Sequence, residues 1–232
     1  MATQTTNDLE DRLDAAISWR RTELHALKSA LESAFRNSTD GPMTRALARS
    51  SVALLYAHWE GFAKDACQAY VDFVAMRRLR FNELNDGFLA TSLSALSKRI
   101  ESGDESAISL LLDVVRRPDM ARARIPKSSI VDTKSNLRYK VLTEIFSCIG
   151  FSTSKFETKD KLIDRSLCDT RNSIAHGREY FPDPAAFPAL HDEVIEMIED
   201  LRDLIMSSVR LQDYKSPVPK GAVKAIGSPQ QP

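Results

Sequence analysis

Arg171, Asn172 and His176 fall within the ten-residue stretch RNSIAHGREY, residues 171–180, and their side chains complement one another chemically. An imidazole, with an unperturbed pKa of about 6.5, can take a proton from a nucleophile or hand one to a leaving group at neutral pH. A guanidinium cannot exchange protons there. Its fixed charge and planar fork suit a phosphate instead, including the extra negative charge that gathers on phosphorus during in-line attack. The amide of Asn172 can orient either group. Together these groups suit cleavage of a phosphodiester, and RNA brings its own nucleophile, the 2′-hydroxyl, so the chemistry needs neither metal nor cofactor.

Arginine followed four to six residues later by histidine is a weak signal by itself. With 20 arginines and four histidines in the chain, about one match arises by accident. Arg20 to His25, in RRTELH, is read as that accident: it lacks the neighbouring asparagine and the following glycine and sits on a charged helix face.

Other chemistries find little support. The chain has no G-x-x-x-x-G-K-[ST], G-x-G-x-x-G or G-x-S-x-G string, and its eight glycines leave little for a phosphate-cradling loop. His25, His58, His176 and His191 show no metal-ligand spacing, so no metal site is expected. Cys67, Cys148 and Cys168 are far apart and odd in number, and read as reduced and buried. No window is apolar enough to span a bilayer and the first residues lack a signal-peptide pattern, so the expected address is the cytoplasm with no membrane partner.

Lysine plus arginine equals aspartate plus glutamate at 32 each, so no global positive field draws the chain to nucleic acid. Contacts to RNA must be local. The best cluster is RRPDMARARIPK, residues 116–127, where Arg116, Arg117, Arg122 and Arg124 are the expected RNA-binding residues; Arg77, Arg78 and Arg80 form a second cluster. For either cluster a solvated face or loop is the commoner explanation, since charge runs are usually just that.

The elements that must position the motif are helical. Leu13, Ile17, Leu24, Leu27, Leu31 and Phe35 recur at helical spacing after a cap at Thr6 or Asn7. Pro42 opens a second long helix, with Val52, Leu55, Trp59, Phe62, Ala66, Tyr70 and Phe73 on one face. Two shorter helices are expected in GFLATSLSALSKRI and ESAISLLLDVVRR, a loop follows around Pro118 and Pro126, and another helix ends at Gly150. A helix from Lys159 to His176 stops at Gly177, and the last runs from about Ala185 to Leu211. The predicted fold is an all-α, antiparallel helical bundle in one domain, residues 1–214, with a variable helical and loop insertion at 81–136. Residues 215–232, rich in proline, glycine and lysine, read as a disordered tail.

RNSIAHG ahead of the final helix, with LLYAHWEGFAKDACQAY in the second, resembles the HEPN superfamily, particularly its bacterial HEPN-like nuclease branch, over roughly residues 45–80 and 137–211. The resemblance implies a helical bundle, commonly a homodimer, and in many members a metal-independent RNA endonuclease with an arginine-to-histidine motif. Arg171, Asn172 and His176 match those positions. Cleavage by such enzymes leaves a 2′,3′-cyclic phosphate and a 5′-hydroxyl. Many relatives act in toxin–antitoxin or anti-phage defence, with an antitoxin or an activating defence protein as partner. Others have lost catalysis and bind a partner protein or nucleotide, which is the alternative function here.

On an ideal helix, Arg171 and His176 are roughly 140° and 7.5 Å apart, too divergent to converge easily on one phosphate. A two-fold axis beside this helix would let groups from two chains complete one site. Asn172 shares a face with His176, and Asp169 lies near it and can steer the imidazole or pair with Arg171. Glu60, about 120° off the apolar stripe of its helix, can hold Arg171. Tyr56 and Trp59 read as packing residues and His58 as structural.

Overall fold

The computed structural model describes residues 5–217, and these form an all-α bundle. Helix α1 spans Thr6–Asn37 and α2 Pro42–Met76; α3 is Asp86–Glu101, α4 Glu105–Arg116 and α5 Tyr139–Ile149; α6 is Thr170–Ala175 and α7 Phe187–Leu211. Among the described residues the only strand-like pairings are two isolated bridges, Arg80 with Arg122 and Leu84 with Lys215.

Helix α1 is capped one residue earlier than the sequence suggests. The Thr5 hydroxyl accepts from the Asp8 N–H at 3.1 Å and the Asp8 carboxylate accepts from the Thr5 N–H at 3.0 Å, a reciprocal box that satisfies two otherwise orphan donors. The turn at 38–41 is too short for anything but an antiparallel return. Cross-helix pairs confirm the directions: Arg20 meets Asp65 and Glu23 meets His58, so α1 opposes α2. Lys28 meets Asp192 and Arg202 meets Asp14, so α1 also opposes α7.

Helix α2 is the axis of the core. Leu55, Tyr56, Trp59, Phe62, Ala66, Tyr70 and Phe73 are all buried. A helix apolar over so wide an arc must be covered on several sides, and α1, α7, α6 and the segment before α6 cover it. Phe156, from a 3₁₀ turn at Ser154–Lys159, stacks 6.2 Å from Trp59 and meets Phe146 of α5 edge-on, tying that helix into the same core. Helix α5 ends as expected at Gly150, whose φ of +77° suits glycine.

The helix read as continuous from Lys159 to His176 is not uniform. Leu162–Asp169 winds as a π-helix, set between α-helical residues 160–161 and the α-helical Thr170–Ala175. Asp164 and Asp169 give the physical reason. Asp164 accepts from the Tyr139 N–H at 2.7 Å, and Asp169 pairs with Arg138 at 2.6 Å, so both serve the start of α5. Residues five apart diverge by roughly 140° in an α-helix, whereas the i→i+5 repeat of a π-helix sets them on one face.

The chain does not leave the bundle at residue 214. Asn85 donates its N–H to the Tyr214 carbonyl at 3.0 Å and its side-chain amide to the Asp213 carbonyl at 2.8 Å, while Ser216 donates to the Glu83 carbonyl at 2.9 Å. The expected tail beyond 217 lies outside the described residues. Among the described residues no helix is long and apolar enough to cross a membrane, and Cys67 and Cys168 are buried while Cys148 is half-buried, all three free thiols.

His58, on α2, is buried with Nε2 2.9 Å from a Glu23 carboxylate oxygen. Burial holds its pKa below the ordinary 6.5, with Arg20 adding to the depression and Glu23 opposing it. A group depressed on folding contributes stability above its unfolded pKa that is lost as pH falls through the folded value. The melting temperature is therefore expected to fall as pH drops below about 6.5, and to fall less steeply in His58→Gln. Parallel slopes for the two proteins in a thermal melt series would remove His58 from that account.

Candidate functional site

Arg171 sits on the first turn of α6, where it leans against α2. Its guanidinium carbon lies 4.8 Å from the centre of the Tyr56 ring, a cation over an aromatic face. Nη1 donates to the Asn172 side-chain oxygen at 3.0 Å, and Nη2 is 4.0 Å from a Glu60 carboxylate oxygen. Tyr56 and Glu60 are one helical turn apart and so present a ring and a carboxylate to the same cation. The Arg171 side chain is 32% exposed and that of Glu60 17%, so the charge is held at the rim of the core with its outer edge in water.

Tyr56 is itself fixed from below. Its hydroxyl donates to the Asn136 side-chain oxygen at 3.1 Å and accepts the Leu137 N–H at 2.8 Å. Burial first, then the neighbouring Cys168 and Glu60, push its acidity well below that of an ordinary phenol, so the ring under Arg171 stays neutral. Cys168 donates its thiol to the Leu137 carbonyl at 3.4 Å, and burial pushes its pKa up to about 12, so it is a packing thiol rather than a nucleophile. The π-helical segment, the approach to α5 and the middle of α2 thus form one scaffold beneath the guanidinium.

His176 is the residue that ends α6. The Gly177 N–H bonds the Ile174 carbonyl at 3.0 Å and the Arg178 N–H bonds the Ser173 carbonyl at 3.0 Å, while Gly177 takes a φ of +67°. This glycine-terminated closure satisfies the last carbonyls through the backbone. The imidazole is exposed and, among the described residues, makes no hydrogen bond or ion pair. Beyond it, Arg49 of α2 donates to the carbonyls of Arg178 and Tyr180 at 2.8 and 2.6 Å, pinning the loop to the bundle.

The structure therefore brings Arg171, Asn172 and Glu60 together and leaves His176 on the same short helix, facing solvent. It sets Asp169 on Arg138, not on the imidazole or Arg171. Arg116, Arg117, Arg122 and Arg124 are exposed, but the strand-like residues 121–123 are tied to Leu79 and Phe81, past the end of α2. Sixteen residues of helix separate Glu60 from Met76, roughly 24 Å. That cluster is not beside the motif. The other match of this type, Arg20 with His25, is disabled by packing: Arg20 is buried, paired with Asp65 at 3.2 Å and 4.5 Å from the Trp19 ring centre.

Tyr56 as the platform for Arg171, Arg138 as the partner of Asp169, and Arg49 as the loop anchor were not singled out for these roles from sequence. The spacing of Tyr56 and Glu60, four residues apart on a helix facing the motif, is the signal that would have found the first. Among the described residues no three of His, Cys, Asp and Glu come together as a metal-binding group. What the site offers is a fixed cation with a polar amide beside it and a solvent-facing imidazole one and a half turns away, the parts for binding a phosphate and moving a proton.

A family model described as HEPN_MAE_28990-like HEPN matches residues 9–214. No curated protein and no solved structure matches the chain.

Proposed function

We propose, from the premise that this chain belongs to the HEPN_MAE_28990-like HEPN family, that it is a metal-independent endoribonuclease with Arg171, Asn172 and His176 as its reacting set. The observation that carries this reading is the imidazole of His176, exposed and unused by the fold although it sits where a capping role was open to it. A guanidinium braced by Tyr56, Glu60 and Asn172 supports it.

In this mechanism His176 takes the proton from a ribose 2′-hydroxyl, and O2′ forms a bond to phosphorus as the bond from phosphorus to O5′ breaks. An imidazolium returns a proton to O5′, leaving a 2′,3′-cyclic phosphate and a 5′-hydroxyl. Arg171 holds the non-bridging oxygens and its charge offsets what gathers there. Because Arg171 and His176 diverge on their helix, the site is completed across a two-fold axis, with Arg171 from one chain and His176 from the other. With no net charge to attract RNA at large, recognition is either selective for a structured RNA or assisted by a second component, which fits a toxin restrained by an antitoxin or a defence effector awaiting an activator.

The test uses purified protein, pooled RNA and excess EDTA. Cleavage is expected to persist, with product ends that a kinase can phosphorylate without prior phosphatase treatment. Cutting that stops with EDTA and returns with magnesium, or 5′-phosphate ends, would refute the mechanism; no cutting even with the natural activator would favour a binding module that engages a partner protein or nucleotide through the same face.

A further inference from the structure

Helix α4 carries two apolar faces, and the fold covers only one. Ala107 is buried, and Leu110 and Val114 are partly buried, on the side that packs against α3. On another side Ile108, Leu111, Leu112 and Val115 are exposed at 49%, 38%, 48% and 73%. Their spacing of three, four and seven makes one continuous stripe, the pattern of a helix that pairs with another helix. Among the described residues nothing lies over it.

The charges beside the stripe indicate what does. At about 100° per residue, Glu105 and Arg116 fall on the same edge of the stripe, next to Leu112, at opposite ends of the helix. Both are exposed, and neither makes an ion pair or hydrogen bond among the described residues. A two-fold axis that pairs this helix antiparallel with its own copy sets like edges side by side with ends reversed, so each Glu105 meets an Arg116 of the other chain. The centre of the charge pair lies between residues 110 and 111 and that of the stripe between 111 and 112. The two centres differ by about 1.5 Å, one residue of rise. A parallel two-fold pairing would instead carry this edge to opposite sides of the two helices, leaving Glu105 and Arg116 unpaired.

We infer that α4 is a self-association surface, occupied by α4 of a second copy of this chain in antiparallel register, with Ile108 against Val115 and Leu112 beside its own symmetry mate. This goes beyond the nuclease reading and does not depend on it, since α4 lies past the end of α2 that is remote from the motif. Four half-exposed side chains make a small interface, so the association is concentration-dependent. If the motif also sits on a two-fold axis that meets this one at right angles, the two isologous contacts together close a particle of four chains.

The test uses the full chain with Cys148→Ser as background, at high micromolar concentration under mild oxidation. Leu112→Cys is expected to form a disulfide dimer. Ile108→Cys mixed with Val115→Cys is expected to cross-link well, and Ile108→Cys alone poorly, with exposed Ser102→Cys as the collision control. Leu112→Asp is expected to halve the particle mass in light scattering while keeping the wild-type melting curve. A step from four chains to two, or from two to one, supports the interface equally and reports separately on whether the motif dimerises. An unchanged mass, cross-linking no better than the Ser102→Cys control, or efficient self-linking of Ile108→Cys would overturn the proposal; the first two outcomes are those expected if a different protein occupies the stripe.

Discussion

His176→Ala is expected to slow single-turnover RNA cleavage by roughly 10²- to 10⁴-fold, the range lost when a positioned proton-transfer group is removed. The fold should not register the change. The imidazole is exposed and bonds to nothing in the bundle, and α6 is closed by the backbone of Gly177 and Arg178. Circular dichroism and a melting curve matching the wild type therefore belong to the expected result. A variant that cleaves at the wild-type rate would remove the imidazole from the chemistry. One that melts well below the wild type would show that the histidine is structural after all.

Two dead proteins are expected to make a live one. In a two-fold site built from Arg171 of one chain and His176 of the other, a mixed dimer of Arg171→Gln with His176→Ala keeps one intact site and one doubly defective site. Random assortment places half of the dimers in the mixed state, so about a quarter of wild-type activity per chain returns. Gln is chosen because Glu60 is largely buried beside Tyr56, and a polar neighbour limits the cost of removing its cation. Each variant assayed alone should remain inactive. If co-refolded variants stay as inactive as either parent, the two groups act within one chain.

The long helices were legible because their apolar spacing and their punctuation agree. Pro42 at the start of α2, and Gly150 and Gly177 after α5 and α6, mark boundaries that the structure keeps. The winding of Leu162–Asp169 was not legible. A wheel drawn at 100° per residue assumes the α repeat, and what selects the π repeat is tertiary: Tyr139 and Arg138 engage Asp164 and Asp169 from outside the segment. Asp169 was misplaced for the same reason, since proximity along a helix says nothing of an arginine 31 residues earlier that reaches it first. Tyr56 was read as core and is core, at 1% exposure; its second use, as the surface beneath Arg171, needs the crossing of two helices that no local pattern encodes. The arginines at 116–124 were a fair reading of charge alone, and only the backbone bonds from 121–123 to Leu79 and Phe81 reveal which end of α2 they occupy.

Where the chain leaves the described bundle matters for anyone who wishes to observe it. Tyr214 packs against Phe73, near the last turns of α2, about 20 Å along that helix from Glu60. A dye coupled at the exposed Leu211, through Leu211→Cys, is thus moored well away from Arg171. It leaves the guanidinium and the imidazole unobstructed, and its signal will follow events in the neighbourhood of α3 in preference to those around His176.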